Sequence, residues 1–148
     1  MRHRLWGLLG LLGLALALTF PKSTLYVEGN GKRHLLKVEV ADTPERWAQG
    51  LMFRERLGED EGMVFLFPEP TAGGFWMKNT LIPLDMVFIS EDWRVVGVIE
   101  DVPPLSEVSR TVGTPSRYVL EFAAGTMKSV GIGAGDRVTI EGNLPYPR

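Results

Sequence analysis

The sequence contains no cysteine. That excludes disulfides, lipid attachment at a cysteine and any thiolate metal site, and it suits an oxidising envelope without proving one. Histidine is almost as scarce, with only His3 and His34. Once the first twenty residues are set aside, a histidine-assisted nucleophile would require His34 to reach a serine from a polar strand end. Positive charge is not in excess either. The formal net charge is −2; residues 1–20 hold Arg2 and Arg4 and no acid, so the rest carries 14 basic against 18 acidic side chains, about −4. No basic patch of the kind that tracks phosphates is visible, so nucleic acid is not an expected partner. Gly73-Gly74 lacks a surrounding phosphate-loop pattern, and there is no internal repeat or low-complexity segment.

What is present begins with Met1-Arg2-His3-Arg4 and the apolar run Leu5 to Leu18. A basic start, an apolar stretch and the small-residue pattern Ala15-Leu16-Ala17 read as a secretory signal over residues 1–20, or as an uncleaved anchor that is somewhat short for a bilayer. Either form places the protein outside the cytoplasm: periplasmic, cell-surface, secreted, or tethered to a membrane through residues 1–20. The remaining length suffices for one domain, residues 24–142. Hydrophobic residues at 45% and charged residues at 23% argue for a globular domain over a disordered one.

Short strands dominate that domain. Leu25-Tyr26-Val27 and Leu35 to Val40 flank Gly29-Asn30-Gly31, the chemistry of a hairpin turn. Thr43-Pro44-Glu45 starts a short helix with Trp47 and Leu51 on one face, followed by Arg54, for which Glu55 or Glu59 are the near partners. Met63 to Phe67 is a nearly all-apolar strand, suited to the centre of a sheet and expected to end at Pro68. Leu84 to Ile89 and Arg94 to Ile99 form a second hairpin. Asp101 to Ser116 lacks any period and reads as a lid or partner-facing loop. Arg117 to Phe122 alternates, with Tyr118, Leu120 and Phe122 on one face and Val119 and Glu121 on the other. Thr126 to Val130 makes one helical turn closed by Gly131, Arg137 to Ile140 is a last strand, and the tail from Gly142 should be loose. The fold class is β-dominated α+β: a small distorted barrel or two packed sheets, with one or two short helices.

The stretch Phe75 to Ile89 organises the rest. It reads as strand, turn at Asn79-Thr80, and strand, with Pro83 at a position where a strand can begin. Asp85 lies among Leu84, Met86, Val87 and Phe88, where a carboxylate must find a donor or a cation. Together with Gly50-Leu51-Met52-Phe53-Arg54, Gly62-Met63-Val64-Phe65, Phe75-Trp76-Met77-Lys78-Asn79-Thr80, Pro83-Leu84-Asp85, and Val119-Leu120-Glu121 followed by Gly125, this stretch resembles the DUF192 family from about Leu25 to Ile140. The resemblance implies a small, mostly β, often exported protein; it brings no assigned biochemical role.

The candidate binding residues are Arg54, Trp76, Lys78, Asn79, Asp85 and Glu121. They are expected to converge on a polar pocket floored by Trp76, Phe75 and Met77, where aromatic faces bury a ligand and polar groups orient it. The competing structural reading has Asp85 accepting N–H bonds from the Asn79-Thr80 turn, Glu121 pairing with Arg54, and the aromatics as core. Non-catalytic binding of a small molecule, envelope polymer or partner protein leads. The alternatives are a hydrolase using Asp85 and Glu121 as acid and base, and a structural interaction module with an exposed apolar patch near Trp93 or the Asp101 to Ser116 loop. Lys78 with Ser106 or Ser109 has no supporting motif. No catalytic residue is assigned, and no cofactor or metal site is expected: Met52, Met63, Met77 and Met86 are the soft copper donors near Trp76 in the sequence, and their apolar flanks read as core.

Overall fold

The computed structural model describes residues 18–141 and Leu144; residues 1–17 of the expected signal, and residues 142, 143 and 145–148 of the tail, lie outside the described residues. Seven strands and two short helices follow one another as β1 (Lys22–Gly29), β2 (Lys32–Ala41), α1 (Pro44–Gln49), β3 (Glu61–Thr71), β4 (Leu84–Ile89), β5 (Val95–Val102), β6 (Ser116–Ala123), α2 (Thr126–Val130) and β7 (Val138–Glu141). They form one mixed sheet in the order β5-β4-β6-β3-β2-β1-β7. Only β2 and β3 pair in parallel, joined by a crossover through α1. The expected β-dominated fold with one or two short helices is therefore found, with its strands in a single sheet where a distorted barrel or two packed sheets had been the alternatives. Its ends meet at one isolated bridge, Arg94 to Arg137, which curls the sheet without closing it into a barrel.

The local rules hold for most elements. Asn30 and Gly31 both take positive φ, 51° and 70°, so β1 and β2 join through a two-residue turn whose twist matches the strands. Thr43 caps α1, its hydroxyl accepting from the Arg46 N–H at 3.3 Å. Met63 to Leu66 sits buried in the central strand of the sheet, as an apolar run should. Strand β3 does not end at Pro68, however. It stays extended to Thr71, because the register with β6 shifts between Leu66 and Thr71, so Pro68 and Pro70 fall where no ladder N–H is required.

Alternation divides the core into two faces. One carries Val64, Leu66, Val87, Ile89, Tyr118, Leu120 and Phe122, and is closed by Met127 and Val130 of α2. The other carries Met63, Phe65, Met86, Phe88 and Val119, and is covered by Leu51, Met77 and Phe75. Of the expected first strand of the organising stretch, only a bridge from Phe75 to Arg110 forms. The rest of that segment is laced to the long loop: the Met77 N–H donates to the Ser106 carbonyl at 2.7 Å and the Leu105 N–H to the Thr80 carbonyl at 3.0 Å.

Candidate functional site

The six candidate residues do not converge. Register decides the two carboxyls: Asp85 lies opposite Phe122, whereas Glu121 lies opposite Met86 on β4 and Met63 on β3. Consecutive side chains on a strand point to opposite faces, so Asp85 joins the face closed by α2 and Glu121 joins the other. A reaction that needs both carboxylates on one substrate does not fit this geometry.

Asp85 is fully buried and doubly used. One oxygen accepts from the Asp101 N–H and the other from the Met127 N–H, each at 2.9 Å. The first donor is exposed to it by a register shift between Leu84 and Met86 in the β4–β5 ladder, at Asp101 with its positive φ of 52°. The second belongs to the first turn of α2, whose N-cap is Gly125 and offers no side chain. Asp85 thus caps α2 from a neighbouring strand. The structural reading was correct in kind, but the donors are not those of the Asn79-Thr80 turn.

Arg54 reaches neither Glu55, Glu59 nor Glu121. It forms a bidentate pair with Glu39 of β2 at 2.7 and 3.1 Å, and its guanidinium lies 5.8 Å from the Phe20 ring centre. Asn79 holds the expected turn, with φ 54°; its carbonyl accepts from the Phe53 N–H at 2.8 Å, while its side chain is exposed. Lys78 stands over the Trp76 ring at 5.1 Å, with Glu107 at 3.9 Å. Met63, Met77 and Met86 are buried core residues, and among the described residues no group of three His, Cys, Asp or Glu could hold a metal. No hydrogen bond from His34 to a serine is found among the described residues.

What the fold does build is a cleft of about 630 Å³ between α1 and the segment 69–76, over the sheet face that carries Phe65, Phe67 and Glu121. Trp76, 47% exposed, lines it as expected, and Glu121 lies at its floor. Four further aromatic rings complete the walls. Trp47 packs against Phe67 at 5.2 Å and is pinned by its indole N–H, which donates to the Ala41 and Leu66 carbonyls, both at 3.0 Å. Phe75 meets Phe65 edge-on at 5.2 Å and Phe67 at 6.0 Å. Gly50 ends α1 with φ 48°, and a Cβ there would press on the Phe65 ring at 3.1 Å, so glycine lets the helix end lie directly on the floor.

Glu121 is the chemically unusual member. It is 4% exposed, between the fully buried Met63 and Met86, and no donor or cation meets its carboxyl among the described residues. Burial alone pushes its pKa up to about 8, so near neutral pH it is mainly an uncharged acid that can donate as well as accept. Sequence reasoning missed Trp47, Phe65, Phe67 and Thr80 as lining residues. The signal for the phenylalanines was there, since Met63, Phe65 and Phe67 alternate onto one face of the strand.

A curled seven-strand sheet with an aromatic cleft on one face defines the class of this protein. Residues 25–140 match the family DUF192, described as an uncharacterized ACR, and the chain belongs to that family. A structure from Sinorhizobium meliloti 1021, which carries the provisional description of transcription regulator, is 39% identical with a TM-score of 0.81, over 83% of this chain and 96% of the other. A protein of unknown function from Novosphingobium aromaticivorans DSM 12444 is 40% identical with a TM-score of 0.75, over 78% of this chain and 82% of the other. No curated protein matches.

Proposed function

We propose that this protein is a non-catalytic binding domain of the cell envelope whose cleft beside Trp76 holds a small organic molecule. The observation that carries the reading is the cleft itself: about 630 Å³, walled by aromatic rings, with one buried carboxyl, Glu121, that has no partner among the described residues. Such a volume is in the range of small-molecule sites, and an unmet polar group in an apolar wall supplies orientation to a ligand that can pair with it. The cleft is lined by two acids, Glu69 and Glu121, and by no lysine, arginine or histidine that could serve as a base among the described residues, which favours binding over turnover. The envelope location is supported by the basic start and apolar run of residues 1–20, and cell fractionation with mass measurement of the mature chain tests it. The description of the Sinorhizobium structure as a regulator is not extended to this chain, whose net charge is negative.

The binding test is a thermal-shift screen with small organic compounds on the native protein and on Ala48→Phe. Ala48 is an exposed residue of α1 that lines the cleft, so the larger side chain fills the mouth without touching the core. Compounds that raise the melting temperature of the native protein and leave Ala48→Phe unmoved support the cleft; hits that stabilise both proteins equally place the ligand elsewhere.

The interaction-module reading finds its expected sign in the long loop and not at Trp93, which stacks on Tyr118 at 3.8 Å. Leu105 and Val108 of that loop are exposed, as is Phe53 beside it. Concentration-dependent association that Leu105→Ser abolishes would favour that second reading.

A further inference from the structure

We propose that the ligand of this cleft is an organic cation, a substituted ammonium head carried on a larger organic body. The inference rests on the binding function proposed above and adds its chemical class. Among the described residues, two ionisable side chains line the cleft, Glu69 and Glu121, and both are acids; no described lysine, arginine or histidine lines it. Lys78 stands at the rim, with its ammonium over Trp76 and toward Glu107. An anion would meet carboxyls and the negative faces of aromatic rings. A neutral apolar ligand would bury Glu121 more deeply with nothing to pair with it, which costs free energy. A cation gains from both features, since Trp47, Phe65, Phe67, Phe75 and Trp76 offer ring quadrupoles and Glu121 offers an opposite charge in a low-dielectric floor.

Glu121 gives the cleft a fixed anchor: it is more than nine-tenths buried, lines the cleft and has no partner among the described residues. The side chains facing it across β3 and β4 are Met63 and Met86, which do not titrate. Binding of the cation is therefore coupled to loss of the Glu121 proton, with Glu69 the other acid that lines the cleft.

The test uses two probes of the same shape, choline and its uncharged carbon isostere 3,3-dimethylbutan-1-ol, titrated into the full chain carrying 13C-labelled tryptophan rings. The Trp47 and Trp76 resonances report the cleft, and Trp93 serves as a distant control. At about pH 9 choline should bind roughly tenfold more tightly than the isostere, and at about pH 6 the preference should fall to the smaller part that the rings supply. Glu121→Gln should hold the preference at that smaller value at both pH values, and the pH dependence of the native protein gives the same answer without a variant. Equal affinity for the two probes at pH 9 overturns the cation class and leaves the binding function standing. No shift of either tryptophan with choline also overturns the cation class, while hits in the thermal-shift screen that are blocked in Ala48→Phe would still uphold a cleft for neutral ligands.

Discussion

Asp85 and Glu121 lie on neighbouring strands, both buried, and the protein treats them in opposite ways. Asp85 spends its two oxygens on backbone N–H groups. Asp85→Ala should therefore leave two buried donors unmet and cost on the order of 3 kcal/mol in urea unfolding, while Asp85→Asn, which keeps one acceptor, should cost about half of that. Neither change should alter ligand binding in the folded fraction, since Asp85 faces away from the cleft. Glu121 gives the reverse behaviour. Its carboxyl ionises near 4.5 in the unfolded chain and near 8 in the folded one, so the unfolded state loses its proton first and stability falls as pH rises between those values. That group alone removes on the order of 5 kcal/mol across the window. Glu121→Gln should flatten this slope and be more stable than the native protein at about pH 8, as followed by denaturant titration at several pH values; a lower stability at that pH would contradict the assignment. The alternation of β6 was enough to place Glu121 with Val119, but the opposition of Asp85 and Glu121 was not legible, because it depends on the register between β4 and β6. The partner of Arg54 was hidden for a similar reason: Glu39 sits on β2, and Arg54 meets it only because the connection from α1 to β3 returns alongside that strand.

At the scale of elements, α1 and the segment 69–76 are the walls of the cleft, and their footing differs. The helix is short and rests on Phe65 through Gly50, a contact the sequence announced only as a glycine near a helix end. The segment after it is held by backbone bonds to the long loop: Phe75 and Arg110 exchange two N–H to carbonyl bonds at 2.8 Å, and Met77 and Leu105 add two more. Residues 75–80 and 103–110 should consequently open as one unit. In native-state hydrogen exchange the amides of Phe75, Met77, Leu105 and Arg110 should share one opening free energy, below that of the β3–β6 ladder; four unrelated rates would show that the lacing is not cooperative. The hairpin, both helices and the β4–β5 pair were legible because the Asn30-Gly31 turn, the polar Ser90-Glu91-Asp92 turn, a Thr-Pro-Glu start and Gly131 act through local backbone geometry. The lacing was not, since neither partner carries a periodic pattern and the Phe75 to Lys78 stretch satisfies its N–H groups against a loop about thirty residues away.

For the whole molecule, the sheet order explains why a cleft exists. Strands β3, β6 and β4 stand side by side near the centre, so their outward-facing Met63, Phe65, Phe67, Glu121 and Met86 form one continuous floor, and the irregular segments have to cover it from above. They leave an opening over Glu121. Alternating short strands indicated a β-dominated domain, but not whether the sheet would close, because closure depends on how β5 and β7 approach each other and these are distant in sequence. A 13C NMR titration of the Glu121 side-chain carboxyl in the full chain, with and without a compound that occupies the cleft, decides whether this cleft binds a ligand. A midpoint near 8 is expected in the free protein, with a clear displacement of that midpoint on binding. A midpoint in the ordinary carboxylate range, unmoved by any compound, would mean that the carboxyl is already solvated or paired, and would contradict the description of the cleft as a binding site.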